Sequence, residues 1–129
     1  MKKLLLLLVL LVTVACSESL EDRAAREAKE FTTKLCPTPY VNYERTDSCV
    51  FDENAKMYVY YMSLRDKADN KVQIDKHIKQ YRNILVQSVT NNTKLAAYKK
   101  EHFSFRYIFR SAKTGDVLID ETITSNDYK

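Results

Sequence analysis

Phe103, Phe105, Tyr107 and Phe109 alternate with Ser104, Arg106, Ile108 and Arg110. Period-two alternation is the pattern of a strand, and here it sets four aromatic rings on one face. A sheet with such a face must be covered, and the cover is written into the chain twice. Leu20, Ala24, Ala28, Phe31 and Leu35 fall along one side of a helix, and Ile74, Ile78, Tyr81, Leu85 and Val89 repeat the spacing. Cys36-Pro37 ends the first helix, because proline disfavours helix in the residue before it and cannot continue the ladder. Residues 37 to 45 read as an irregular loop.

Cys49-Val50-Phe51 and Lys56 through Leu64 are rich in β-branched and aromatic residues and are separated by the polar Asp52-Glu53-Asn54-Ala55, which predicts a hairpin. Leu95 to Lys100 reads as one more helical turn or two. A second hairpin turns at Lys113-Thr114-Gly115-Asp116, where the only glycine of the chain supplies a positive φ, and Val117 to Thr124 returns. The predicted architecture is α+β: a two-layer domain in which a four-stranded antiparallel sheet, made of two hairpins, is packed by two amphipathic helices in the order αββαββ. Residues 125 to 129 read as a flexible tail. With 129 residues, 45% of them hydrophobic and 29% charged, there is room for one domain.

The first 16 residues stand apart from this pattern. Lys2 and Lys3 precede nine uninterrupted apolar residues, Leu4 to Val12, followed by Thr13, Val14, Ala15 and Cys16. A basic start, a short apolar run and small residues before a break are the plan of a signal peptide, assigned to residues 1–15. The run is shorter than the 20 or so residues a spanning helix needs. Leu11-Val12-Thr13-Val14-Ala15-Cys16 resembles the lipobox of bacterial lipoproteins, with Thr13 where that family usually has Leu. The resemblance implies that Cys16 is acylated and becomes the mature N-terminus, anchoring a domain of residues 16–129 to the bilayer through a short tether at 17–19. It also implies the outer membrane, since Ser17 stands where Asp would retain a lipoprotein at the inner membrane. The acidic Glu18, Glu21 and Asp22 add a likeness to surface lipoproteins of Bacteroidetes-like bacteria, and the chain as a whole looks like a small Gram-negative lipoprotein. Ordinary cleavage after Ala15, leaving a free thiol, is the alternative.

With Cys16 assigned to lipid, Cys36 and Cys49 are left as an even pair in an exported protein, and a disulfide between them is expected. A bridge closing a loop of that length contributes about 3 kcal/mol. His77 and His102 have no spacing that suits a metal, and no metal or cofactor is expected. No nucleophile, phosphate-loop or zinc-protease motif is present, which disfavours an enzyme. Setting Lys2 and Lys3 aside leaves 19 basic against 17 acidic residues, interspersed, so no nucleic-acid partner is expected. Among nine tyrosines, Tyr58 and Tyr60 share one strand face and Arg106 and Arg110 share another. If the open face of the sheet carries all four, it would bind an envelope protein, a peptide or a glycan. The function expected is a membrane-anchored binding or accessory lipoprotein. A soluble periplasmic or secreted inhibitor or immunity-type protein is the alternative, and an enzyme with a non-local active site comes third.

The anchor has a direct test. In detergent phase partitioning the mature wild-type protein is expected in the detergent phase and Cys16→Ala in the aqueous phase; an aqueous wild type would remove the anchor.

Overall fold

A computed structural model describes residues 18–129. The signal segment and Cys16 lie outside the described residues. The chain runs α1 (Leu20–Leu35), β1 (Glu44–Asp52), β2 (Met57–Leu64), α2 (Lys71–Lys76), α3 (Ile78–Asn91), α4 (Ala96–Lys100), β3 (Ser104–Ser111), β4 (Val117–Ile123) and α5 (Ser125–Tyr128). Two short 3-10 turns precede α2 and α4. Among the described residues no helix is long and apolar enough to cross a membrane.

The first helix follows its sequence pattern. Ser19 caps it, accepting from the Asp22 N–H at 3.0 Å, and Glu21 and Asp22 in the first turn complement the helix dipole. Glu18 makes a bidentate pair with Arg26. Ala24 and Ala28 are buried and small, so α1 lies close on the β1–β2 hairpin. The buried Tyr58 hydroxyl donates to the Ala24 carbonyl at 3.0 Å, and Tyr98 on α4 donates to Glu27 at 2.6 Å.

The sheet order is β1-β2-β3-β4, and here the expected antiparallel sheet is corrected. β1–β2 and β3–β4 are antiparallel hairpins, but β2 and β3 pair in parallel, with Met57 opposite Ser104 and Leu64 opposite Ser111. The reason is the crossover. Helices α2 to α4 carry the chain back along the sheet to the end where β2 began, and the Ser104 N–H meets the Lys56 carbonyl at 3.0 Å. The molecule thus has two poles. One holds the β1–β2 turn, the α4–β3 corner and the start of α1; the other holds the loop after α1, the end of β2 and the β3–β4 turn.

The register decides which faces are covered. Tyr58, Tyr60, Met62 and Leu64 lie beside Phe105, Tyr107, Phe109 and Ser111 under the helices. Phe103 and Phe105 are fully buried, and Tyr58 packs between Phe51, Tyr98 and Phe105 at ring separations of 5.2 to 6.1 Å. The predicted stripes depart at two places: Leu35, the last member of the α1 stripe, is exposed, and the second helix is broken. His77, with φ −118°, interrupts it into α2 and α3; Ile74, Leu85 and Val89 are buried, whereas Tyr81 is exposed.

Threonines close the β1 edge. The Cys49 N–H donates to Thr32 Oγ1 at 2.9 Å, and that hydroxyl donates to the Cys49 carbonyl at 2.8 Å. The Thr46 N–H donates to Thr38 Oγ1 at 3.0 Å, and the Thr38 N–H to the Thr46 carbonyl at 2.9 Å. An unpaired edge is thereby occupied. These bonds also fasten the loop that the expected disulfide was meant to close. That bridge is not formed: Cys36 and Cys49 are both free thiols. Burial raises both thiol pKa values, that of Cys49 to about 12.

The C-terminal residues do not fray as expected. Thr124 and Asp127 form a reciprocal capping box, Arg82 of α3 pairs with Glu121 at 2.8 Å and Asp127 at 3.0 Å, and the Tyr128 hydroxyl donates to the Phe103 carbonyl at 2.7 Å.

Three outcomes follow. Phe105→Ala removes a fully buried ring and is expected to cost about 3 to 5 kcal/mol in urea unfolding. The capping hydrogen bond from Thr124, and then Arg82, hold the Asp127 carboxyl below its usual range. Its contribution is present above the unfolded pKa of about 4 and is lost as pH falls through the lower folded value, so amide exchange in α5 should rise there first. In the reduced folded protein, iodoacetamide at mildly alkaline pH is expected to modify Cys36 before Cys49, because the thiolate is the reactive form; peptide mapping reads the order.

Candidate binding site

The four residues expected on one binding surface are divided between the two faces of the sheet. Tyr58 and Tyr60 point under the helices, where Tyr60 stacks on Tyr107 at 4.8 Å. Arg106 and Arg110 lie on the open face, level with Val59 and Ser63. There Arg106 is bound bidentately by Asp120 at 2.6 and 2.8 Å, and Arg110 donates to the Gly115 carbonyl at 3.2 Å. These four residues therefore do not form one surface.

The concave apolar surface lies instead at the pole remote from the start of α1. A pocket of about 260 Å³ opens between α3 and the sheet end. Leu64 of β2, Phe109 of β3, Ile119 of β4 and Leu85 of α3 form its floor, with Asn42, Glu44, Ala68, Tyr81 and Ile84 around them. Of its lining residues Ile84 is 59% and Tyr81 36% exposed, and beside it Val41 and Tyr43, which flank the lining residue Asn42, are 64% and 41% exposed. Half of the large hydrophobic side chains exposed among the described residues sit in this one region.

The rim has a built backbone. Val41 and Glu44 close a two-residue turn through mutual hydrogen bonds of 2.8 and 3.1 Å. Its central residues, Asn42 at φ 51° and Tyr43 at φ 67°, are both left-handed, as a tight hairpin turn with this twist requires. Asparagine tolerates that conformation, but tyrosine is strained in it. Two contacts hold it: the Arg65 N–H donates to the Tyr43 carbonyl at 3.0 Å, and the Arg45 and Arg65 guanidinium groups lie 4.8 and 4.1 Å from the Tyr40 ring centre.

Chemically the pocket is suited to binding. Its lining contains one carboxylate, Glu44, whose pKa burial raises, and no histidine or cysteine. Asn83, Ile84, Gln87, Ser88 and Asn91 continue the surface along the outer side of α3 without a charge. The 14 residues of α3 include only Lys79 and Arg82 as charged groups, in a chain that is 29% charged. Depletion of charge around exposed apolar and aromatic groups is the composition of an interface centre. Among the described residues no three His, Cys, Asp or Glu side chains converge to hold a metal.

Sequence reasoning passed over these residues. Val41 and Tyr43 stand in a stretch without periodicity, read as plain loop. The available signal was Ile84, a large apolar residue one place off the core stripe of Tyr81 and Leu85.

Three solved structures share the fold. A Pseudomonas aeruginosa protein described as secreted superposes with a TM-score of 0.67 at 16% identity, covering 86% of this chain and 98% of that one. The pilotin EpsS of the Vibrio vulnificus type 2 secretion system gives 0.64 at 16% identity, over 84% of this chain and 91% of that one. The type II secretion system pilotin AspS of Vibrio cholerae gives 0.57 at 16% identity, over 83% and 90%. At that identity the likeness is one of fold. No curated protein matches the sequence. Residues 19–119, from the cap of α1 into β4, match the family described as a domain of unknown function, DUF8479, and the chain belongs to that family.

Proposed function

We propose that this protein is a membrane-anchored accessory lipoprotein of the bacterial envelope, a binding module of the pilotin kind without catalytic activity. In this reading Cys16 carries the lipid, Ser17 directs the protein to the outer membrane, and the pocket walled by Ile84 and Leu85 receives an apolar segment of an envelope protein partner. One observation carries it: exposed Tyr81 and Ile84 line an apolar pocket whose lining residue Asn42 sits in a strained turn between the exposed Val41 and Tyr43. Fold likeness to two pilotins supports the class of partner, a component of an envelope secretion assembly.

Burial at an interface is worth about 25 cal/mol per Å² of apolar surface, so these side chains are the natural source of affinity. Enzymatic function would need a nucleophile or acid–base pair beside the pocket, and Glu44 alone provides neither.

A photo-crosslinking residue at Ile84, in the lipidated protein in its native envelope, is expected to capture a secretion-assembly component. The same residue at Val50, on the far sheet face, is expected to capture none. Ile84→Asp should abolish the complex at least tenfold in affinity while shifting stability by no more than about 0.5 kcal/mol, as for other exposed positions. Equal capture from Val50, or undiminished binding by Ile84→Asp, would overturn the reading.

A further inference from the structure

Resting on the reading of Cys16 as the lipid anchor, we infer that the domain stands directly on the bilayer on one defined pole, and that the apolar pocket is thereby presented on the opposite, membrane-distal pole. The occupant of the anchor pole is a phospholipid headgroup surface.

The argument begins with the length of chain between the anchor and the fold. Ser19 is already the cap of α1, and Glu18 before it is pinned by two hydrogen bonds from Arg26, each 2.9 Å. The expected tether of residues 17–19 is thus mostly taken up by the domain. Only two peptide links separate Cys16 from Glu18, a reach of at most about 7.6 Å between Cα atoms. An acylated Cys16 must lie at the headgroup level, so the start of α1 cannot move far from it.

What shares that pole with the start of α1 is fixed by contacts. Lys56, in the β1–β2 turn, pairs with Glu21 at 3.5 Å, and the Ser104 N–H at the head of β3 bonds the Lys56 carbonyl. The turn Asp52–Lys56 and the α4–β3 corner are therefore the parts set against lipid. Glu44, Leu64 and Ile119 lie at the other ends of their strands, where the pocket opens. The eight residues of β2 separate the two poles by about 26 Å. A partner segment must reach the pocket from the aqueous side, roughly a domain height above the membrane.

The chain contains no tryptophan, so a single introduced one is a clean probe. Ala55→Trp marks the β1–β2 turn and Val41→Trp the Val41–Glu44 turn beside the pocket at the opposite pole; both positions are exposed. The mature lipidated proteins are incorporated in phosphatidylethanolamine–phosphatidylglycerol vesicles with a nitroxide on a fraction of the headgroups. Tryptophan emission of Ala55→Trp is expected to be quenched several-fold more than that of Val41→Trp. Inserting a long Gly/Ser linker between Ser17 and Glu18 should remove the difference. Co-flotation with the vesicles is measured in parallel: wild-type protein that fails to float overturns the anchor itself, whereas floating protein with equal quenching at the two positions, or stronger quenching at Val41→Trp, overturns the orientation alone.

Discussion

Everything in this fold depends on how closely α1 can lie on the β1–β2 hairpin. Ala24 and Ala28 present almost no side chain, and the resulting approach lets a buried tyrosine hydroxyl on β2 reach a main-chain carbonyl of the helix. Thr32, one turn further on, satisfies both backbone groups of Cys49 at the sheet edge. The helix thus acts as a cover for the aromatic face and as a substitute for the missing edge partner. Because it runs the length of the sheet, it also delivers the following loop to the far pole, where Thr38 ties that loop to β1 and the Val41–Glu44 turn can form.

The second constraint is the crossover. A hairpin closes locally, but β2 and β3 are joined through nearly forty residues, and the helices in between must cover the rest of the aromatic face. Once α3 runs back across the sheet, the next strand can only begin where β2 began, and the pair is parallel. This is why α3 ends near Phe103, with Lys99 donating to the Val89 and Thr90 carbonyls at 2.9 Å, and begins near the pocket. Arg82, in its second turn, joins β4 and α5 through two carboxylates.

These two constraints separate what the chain's letters disclose from what they do not. The stripe on α1, the alternation in β3, the turn at Gly115 and the β1–β2 hairpin are local patterns, and local patterns carry their own geometry. The parallel pair is not local; two hairpins are equally compatible with either central pairing. The face of Tyr58 and Tyr60 is hidden in the sequence for a related reason. Both sides of β2 are apolar, with Val59 as buried as Tyr58, and only the register opposite Phe105 and Tyr107 assigns the tyrosines to the helix side. Counting cysteines suggests a bridge, yet the loop between Cys36 and Cys49 is held by threonine hydroxyls, whose partners are invisible to counting. Likewise the tail reads as frayed until Arg82 and the Phe103 carbonyl are brought beside it.

The pocket is legible by a different route, through the free energy the fold leaves unused. Burying a side chain of the size of valine, isoleucine or tyrosine gains about 1.5 to 3 kcal/mol, and Val41, Ile84 and Tyr43 forgo much of that by standing in water. Tyr43 bears in addition a left-handed backbone that costs of order 1 to 3 kcal/mol. A scatter of such penalties over a surface would mean little, since most surfaces expose single apolar groups. Here they coincide at one pole, at and beside the pocket, next to a helix face without charges. Folding alone does not require that coincidence, because an asparagine–glycine turn and a polar residue at position 84 would serve the domain equally well. A surface that is costly to the free monomer at several neighbouring positions makes physical sense when a partner covers it, and the stability withheld from the monomer reappears as affinity.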